Sequence, residues 1–452
     1  MKKIMGYKLF TLLLFSLFCN PLYAQDLLSE YIQQGLENNI VIKQRKISFE
    51  RAEYSLKVAT SYFYPSISFG GSYTSGEGGR SISIPVGDLL NPVYQTLNQL
   101  TGTNDFPQIN NVNESFFPNK FYDLKIQAAM PIINTDLIFN RQVQDHQVQI
   151  QEFEIELYKK ELTKEIRIAY FNYLSALASI KIFESALEVA LEGKRVNESL
   201  LKNDTGLKAY VLRSEGEVEN IKAQQTDAKN QTENAKRYFN FLLNRNLDAD
   251  INSDFNVDEK ISYINSLVNY KTDVEQREEL KMLEQGIEIN KSLLSMNKYF
   301  WIPKVNAFVD LGAQDKDWNY GKDSRYYLYG VQLSVPIFEA FRNQYKISQS
   351  ELDVEESELN YELTNNQLQL SIKSVLNNLY AAKQNYTSSQ KQLEAAKSYY
   401  NLINKGYIEG LNSFIETVDA RTQLTRSELL VNINKYKILI AEAQYRREVA
   451  SE

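Results

Sequence analysis

Two proline-free stretches, each about 70 residues long, constrain what this chain can fold into. The first follows Pro131 and runs to Asn203, and the second follows Pro336 and runs to Lys405. Val143, Ile150, Phe153 and Leu157 recur at heptad-like spacing in the first, as do Leu352, Leu359, Leu363 and Leu370 in the second. At about 1.5 Å per residue each stretch predicts a helix about 100 Å long. Each ends in a glycine-containing turn before a returning helix. The turns are Asp204-Thr205-Gly206-Leu207 and Lys405-Gly406-Tyr407-Ile408-Glu409-Gly410-Leu411. Pro131 and Gly206 stand about 75 residues apart, Pro336 and Gly410 about 74, which reads as an internal duplication.

Ahead of each long helix the period changes from helical to alternating. Tyr122, Leu124, Ile126, Ala128 and Met130 oppose Asp123, Lys125 and Gln127. Tyr327, Tyr329, Val331, Leu333 and Val335 lie on one face of a matching strand near Pro336. Two more strands precede these. Ile67, Phe69, Gly71 and Tyr73 oppose Ser66, Ser68, Gly70 and Ser72, and Val305, Ala307, Val309 and Leu311 oppose Lys304, Asn306 and Asp310. Residues 74–120 are rich in Gly, Asn and Pro and predict a long loop. Of the nine prolines, one lies near the start and four in that loop, leaving Pro65, Pro131, Pro303 and Pro336 at strand–helix junctions. None falls inside an expected helix, where it would cost about 3 kcal/mol.

Residues 1–24 read as a secretory signal peptide, with Lys2, Lys3 and Lys8 ahead of the apolar run Leu9 to Phe18 and a small residue at Ala24. The alternatives are an uncleaved anchor and a lipidated Cys19. Cleavage takes away three Lys and moves the formal charge from −7 to about −10, which argues against a nucleic-acid partner. Cys19 is the only cysteine, so the mature chain has no disulfide and no thiol chemistry.

Four strands of about ten residues, apolar on one side and polar on the other, match membrane-barrel strands, and four alone leave edges that lipid forbids. Closure requires association, with two, three or four copies all possible. Aromatics gather at the strand ends (Tyr62, Phe63 and Tyr64; Phe116, Phe117, Phe121 and Tyr122; Tyr299, Phe300 and Trp301; Tyr326 and Tyr327), as interfacial girdles require.

With these repeats, junction prolines and glycine tips, the mature chain resembles the TolC-type outer-membrane channel family. The sharpest local match runs from Gly406 through Gly410, Glu416 and Asp419 to Ala420. The resemblance implies a mainly α fold with a membrane β-barrel contribution: four strands per chain in a trimeric twelve-stranded barrel, on an α-helical periplasmic tunnel. It implies a homotrimer in outer-membrane lipid of a Gram-negative bacterium, extending into the periplasm, with a periplasmic membrane-fusion adaptor and an inner-membrane transporter as partners. The expected organisation is a first repeat over 25–243, with strands at about 66–74 and 121–130 and a long hairpin over 134–243. An equatorial segment over 244–271 follows, then a second repeat over 272–452, with strands at about 304–312 and 326–335 and a hairpin over 338–449.

Glu416 and Asp419 are three apart on one helix and share a face. In a trimer of the family they would form two stacked acidic rings at the entrance. The plain alternative is a pair of solvated carboxylates, with Asp419 near Arg421. The resemblance makes Tyr407 an entrance gate residue, whose partner positions would be Val211 and Leu212, or Arg213 or Ser214 as substitutes. It makes Gly206, Leu207, Gly410 and Leu411 the tips that meet the adaptor, while glycine as a simple helix cap is the competing reading. His146, the only histidine, sits among glutamines and predicts a solvated or lumen-facing residue. No metal-ligand, phosphate-loop or nucleophile pattern points to a cofactor or to enzymatic chemistry. The rival to an exit duct is a periplasmic coiled-coil adaptor or structural tether without a pore.

Overall fold

The computed structural model describes residues 27–116, 119–266 and 276–449. The expected signal peptide with Cys19, Phe117 and residues 267–271 of the expected equatorial segment lie outside the described residues. In chain order the elements are α1 (Leu27–Asn38), α2 (Ile40–Ser61), β1 (Ser66–Thr74), β2 (Ser81–Ile84), α3 (Val86–Thr101), β3 (Val112–Ser115), β4 (Phe121–Ile133) and α4 (Thr135–Lys202). Then come α5 (Lys208–Leu242), α6 (Val257–Ser266), α7 (Glu278–Lys298), β5 (Lys304–Lys316), β6 (Arg325–Ser334), α8 (Arg342–Ile408) and α9 (Phe414–Glu448). They form two compact units. Among the described residues, one comprises 27–53, His146–Glu288 and 355–449; the other is Tyr54–Asp145 with Ile289–Val354.

The second unit holds an antiparallel four-stranded sheet in the order β1-β4-β5-β6. Strict alternation gives it two unlike faces. Ile67, Phe69, Leu311, Tyr327, Tyr329 and Val331 are all exposed on one. On the other, the Tyr326 hydroxyl donates to Asp123 at 2.8 Å and Lys125 lies 3.4 Å from Asp310. At one end, Trp318 stacks on both Tyr73 and Tyr122, with ring centroids 5.4 and 5.2 Å apart.

Several boundaries differ from expectation. β4 runs on to Ile133, so Pro131 lies within a strand; the register shifts between Pro131 and Ile133, an irregularity of the kind that spares a ladder donor. β5 extends to Lys316, past the expected end near residue 312. α8 begins at Arg342 rather than 338, after Ala340 and Phe341 take left-handed φ values of 51° and 62°. Residues 74–120 are not a plain loop: they carry a β2–β3 ladder and α3, and Pro92 sits inside that helix. Side chains stabilise α3 despite the proline. Asn91 and Asn98 each exchange two hydrogen bonds with loop backbone, to Ile109 and Phe106 respectively.

The helical unit builds its core where α1, α4, α5, α8 and α9 meet residues 251–264, around Leu162, Ile166, Tyr170, Phe239, Ile264 and Ile438. The described segment after Asn244 is therefore part of the core: Ile251, Val257, Ile261 and Ile264 are all buried. Arg277, 2% exposed, is held by Glu279 and Glu448 at 2.6 and 2.7 Å, so a buried cation is fully paired. Among the described residues no helix is long and apolar enough to cross a membrane.

Candidate functional site

The two helical tips of the helical unit are built by the same turn. After α4, Asp204 donates to the Leu201 carbonyl at 3.1 Å and Thr205 to that of Leu200 at 3.0 Å. After α8, Gly410 donates to Tyr407 at 3.1 Å and Leu411 to Gly406 at 2.7 Å. Both are Schellman closures, which need a left-handed residue at the first non-helical position. Gly410 supplies it at φ 78°, and Asp204 supplies it at φ 57°. The tips therefore superpose two residues away from the expected match, with Asp204 opposite Gly410 and Leu207 opposite Ser413. Gly206 has a different role: a Cβ there would lie 2.7–2.8 Å from backbone of Leu200 and Leu201. Leu207 and Leu411 are both exposed, at 59% and 79%.

Ser413 opens α9 with a capping box. Its backbone amide donates to the Glu416 carboxylate at 2.6 Å, and the Glu416 amide donates to its hydroxyl at 3.3 Å. The bond from the Ser413 amide, and next the one its hydroxyl donates to the same carboxylate at 2.9 Å, hold the Glu416 carboxyl below the usual carboxylate range. Glu416 and Asp419 are both exposed, on the first turn and a half of α9. Both carboxylates thus remain open to whatever this end of the hairpin faces. The expected proximity of Asp419 and Arg421 does not occur. Residues two apart on a helix point to nearly opposite sides, and Arg421 is 6% exposed, with Nε lacking a hydrogen-bond partner. Burial lowers the Arg421 pKa, opposed by Tyr400 and Glu217.

Tyr407 does not reach the expected positions on α5. Leu212 is exposed, and the Ser214 hydroxyl donates back to the carbonyls of Tyr210 and Val211. Tyr407 instead donates to Asn197 Oδ1 on α4 at 3.3 Å, and its ring meets Phe414, which meets Tyr210. Burial, then Tyr210, pushes the phenol pKa up. One aromatic cluster thus ties the first hairpin to the second within the chain. Asn197 is 2% exposed and its Nδ2 has no partner. The signal for it was present in the sequence: Phe183, Ala190 and Asn197 recur every seven residues, so a polar side chain occupies an apolar heptad position. His146 is half-buried and bonds Gln285 at 2.7 Å. Among the described residues no group of three or more His, Cys, Asp or Glu could hold a metal ion.

The fold is similar to those of solved outer-membrane channels. The Campylobacter jejuni CmeC channel superposes with a TM-score of 0.72 at 16% identity, covering 94% of this chain and 85% of that one. The OprN channel gives 0.74 at 15% identity, covering 94% and 90%. In sequence, the solvent efflux pump outer membrane protein SrpC of Pseudomonas putida is 24% identical over 160 residues, a stretch spanning 34% of this chain and 33% of that relative. A chain of two long helical hairpins with a two-faced four-stranded sheet thus has the fold of these solved outer-membrane channels. In sequence, residues 272–447 match the family model described as outer membrane efflux protein.

Proposed function

We propose that this chain is the outer-membrane exit duct of a tripartite efflux or type I secretion system, conducting small molecules or protein passively and opened by a periplasmic adaptor and an inner-membrane pump. One observation carries the reading: the sheet's apolar face is exposed while β1 and β6 are free edges. In water such a face invites aggregation, and in lipid such edges are not tolerated. Three copies pairing β6 to β1 close twelve strands and resolve both problems at once. A periplasmic adaptor or tether has no use for a lipid-facing sheet, so the pore-free reading is disfavoured. The chain then acts as a conduit, not an enzyme.

At the tips, exposed Leu207 and Leu411 beside the turns of Gly206 and Gly410 offer apolar contacts to an adaptor. Glu416 and Asp419 supply six carboxylates at a threefold entrance, which would favour cations. Tyr407, through Asn197, holds the hairpins together in the closed form. The test is the mass of the mature protein in detergent. A stable trimer that precipitates when detergent is removed supports the duct, and a soluble monomer supports the tether.

A further inference from the structure

The insertion between β1 and β4 contains a helix with one face unaccounted for. α3 turns Asn91, Tyr94 and Asn98 toward its own loop, where the two asparagines bond backbone and Tyr94 meets the Phe106 ring at 5.7 Å. Leu89, Val93 and Leu100 lie on the opposite side, separated by four and seven residues, and are 69%, 51% and 78% exposed. The only charged residue of the helix is Asp88, which is bonded by Asn111 at 2.9 Å. Nothing basic on α3 would hold it to an anionic lipid surface.

The anchor of the insertion gives its position. Lys316 lies 3.1 Å from Glu114 of β3. On β5 it shares the parity of Asp310 and pairs with Phe121, so it belongs to the polar face of the sheet. The β2–β3 ladder is therefore tied to the side that faces the lumen once the barrel is closed, while the Tyr73, Tyr122 and Trp318 stack occupies the lipid side.

From these observations we infer that α3 is an outer lid: the Leu89, Val93 and Leu100 face packs against α3 of neighbouring copies across the mouth of the barrel. The inference rests on the trimeric barrel proposed above. A near-uncharged apolar face can meet its own copy about a threefold axis without repulsion, and the polar-side anchor holds it over the opening.

The test uses the mature full-length protein, which has no cysteine once the leader carrying Cys19 is removed. Val93→Cys, with Gln95→Cys as a control on another face, is purified in detergent, sized, and oxidised. The lid predicts a trimer in which Val93→Cys gives a disulfide-linked dimer on a denaturing gel and Gln95→Cys does not. In bilayers, Val93→Asp should raise the open fraction severalfold. A trimer in which Val93→Cys stays unlinked overturns the lid and leaves the duct standing. If that thiol is also shielded from a maleimide only in phospholipid vesicles, the face belongs to lipid. A monomer overturns the lid together with the trimeric reading.

Discussion

Single residues decide how the tips turn. A methyl group at Gly206 would collide with backbone of Leu200 and Leu201, which cannot yield as a flexible side chain would. Gly206→Ala is therefore expected to cost about 1–3 kcal/mol, and Gly410→Ala, which needs φ 78°, about 1 kcal/mol. Thermal unfolding, with amide exchange over 200–210 and 404–414, checks both. Asp204 would be the better site for stabilisation, because Asp204→Gly relieves its left-handed strain. Glu416 adds a pH dependence of known sign. Its folded pKa lies below its unfolded value, so the capping contribution is complete above the unfolded value and lost as pH falls through the folded one. Protection of the amides in the first turn of α9, taken relative to their intrinsic exchange at each pH, should fall as acid titrates that carboxyl, and Glu416→Gln should flatten that response. Tyr407→Phe leaves the buried Asn197 Oδ1 without its donor, at a cost of about 1 kcal/mol.

At the level of elements, the sheet faces predict which substitutions matter. Leu311→Arg puts a cation on the exposed apolar face, where a lipid-facing charge costs about 2–4 kcal/mol near the bilayer centre. Gln127→Arg, on the polar face, should be tolerated. Trimer yield from outer membranes distinguishes them. The strands and long helices could be read from sequence because one period dominates each. α3 could not, since Pro92 and the Asn- and Gly-rich surroundings masked Leu89, Val93, Leu97 and Leu100, which do share a helical face. The tips were misaligned for a related reason. Glycine marks a left-handed residue in most turns, but an aspartate side chain also tolerates that conformation, and Asp204 holds it here. Tyr407's partner was hidden because it lies 210 residues away, and only tertiary packing brings Asn197 to it.

The whole molecule, in the function proposed above, forms a closed, lipid-embedded barrel entered past acidic residues. Glu416→Gln with Asp419→Asn should lower cation preference, most clearly at low salt, where exposed charges are least screened. The most direct measurement is single-channel current from the purified mature trimer in planar bilayers across a salt gradient, with Tyr407→Phe run in parallel to loosen the entrance. A duct with an acidic entrance gives discrete steps whose reversal potential is that of a cation-preferring pore, more frequent in Tyr407→Phe. Anion preference would contradict the acidic entrance, and the absence of steps from both proteins would contradict the pore.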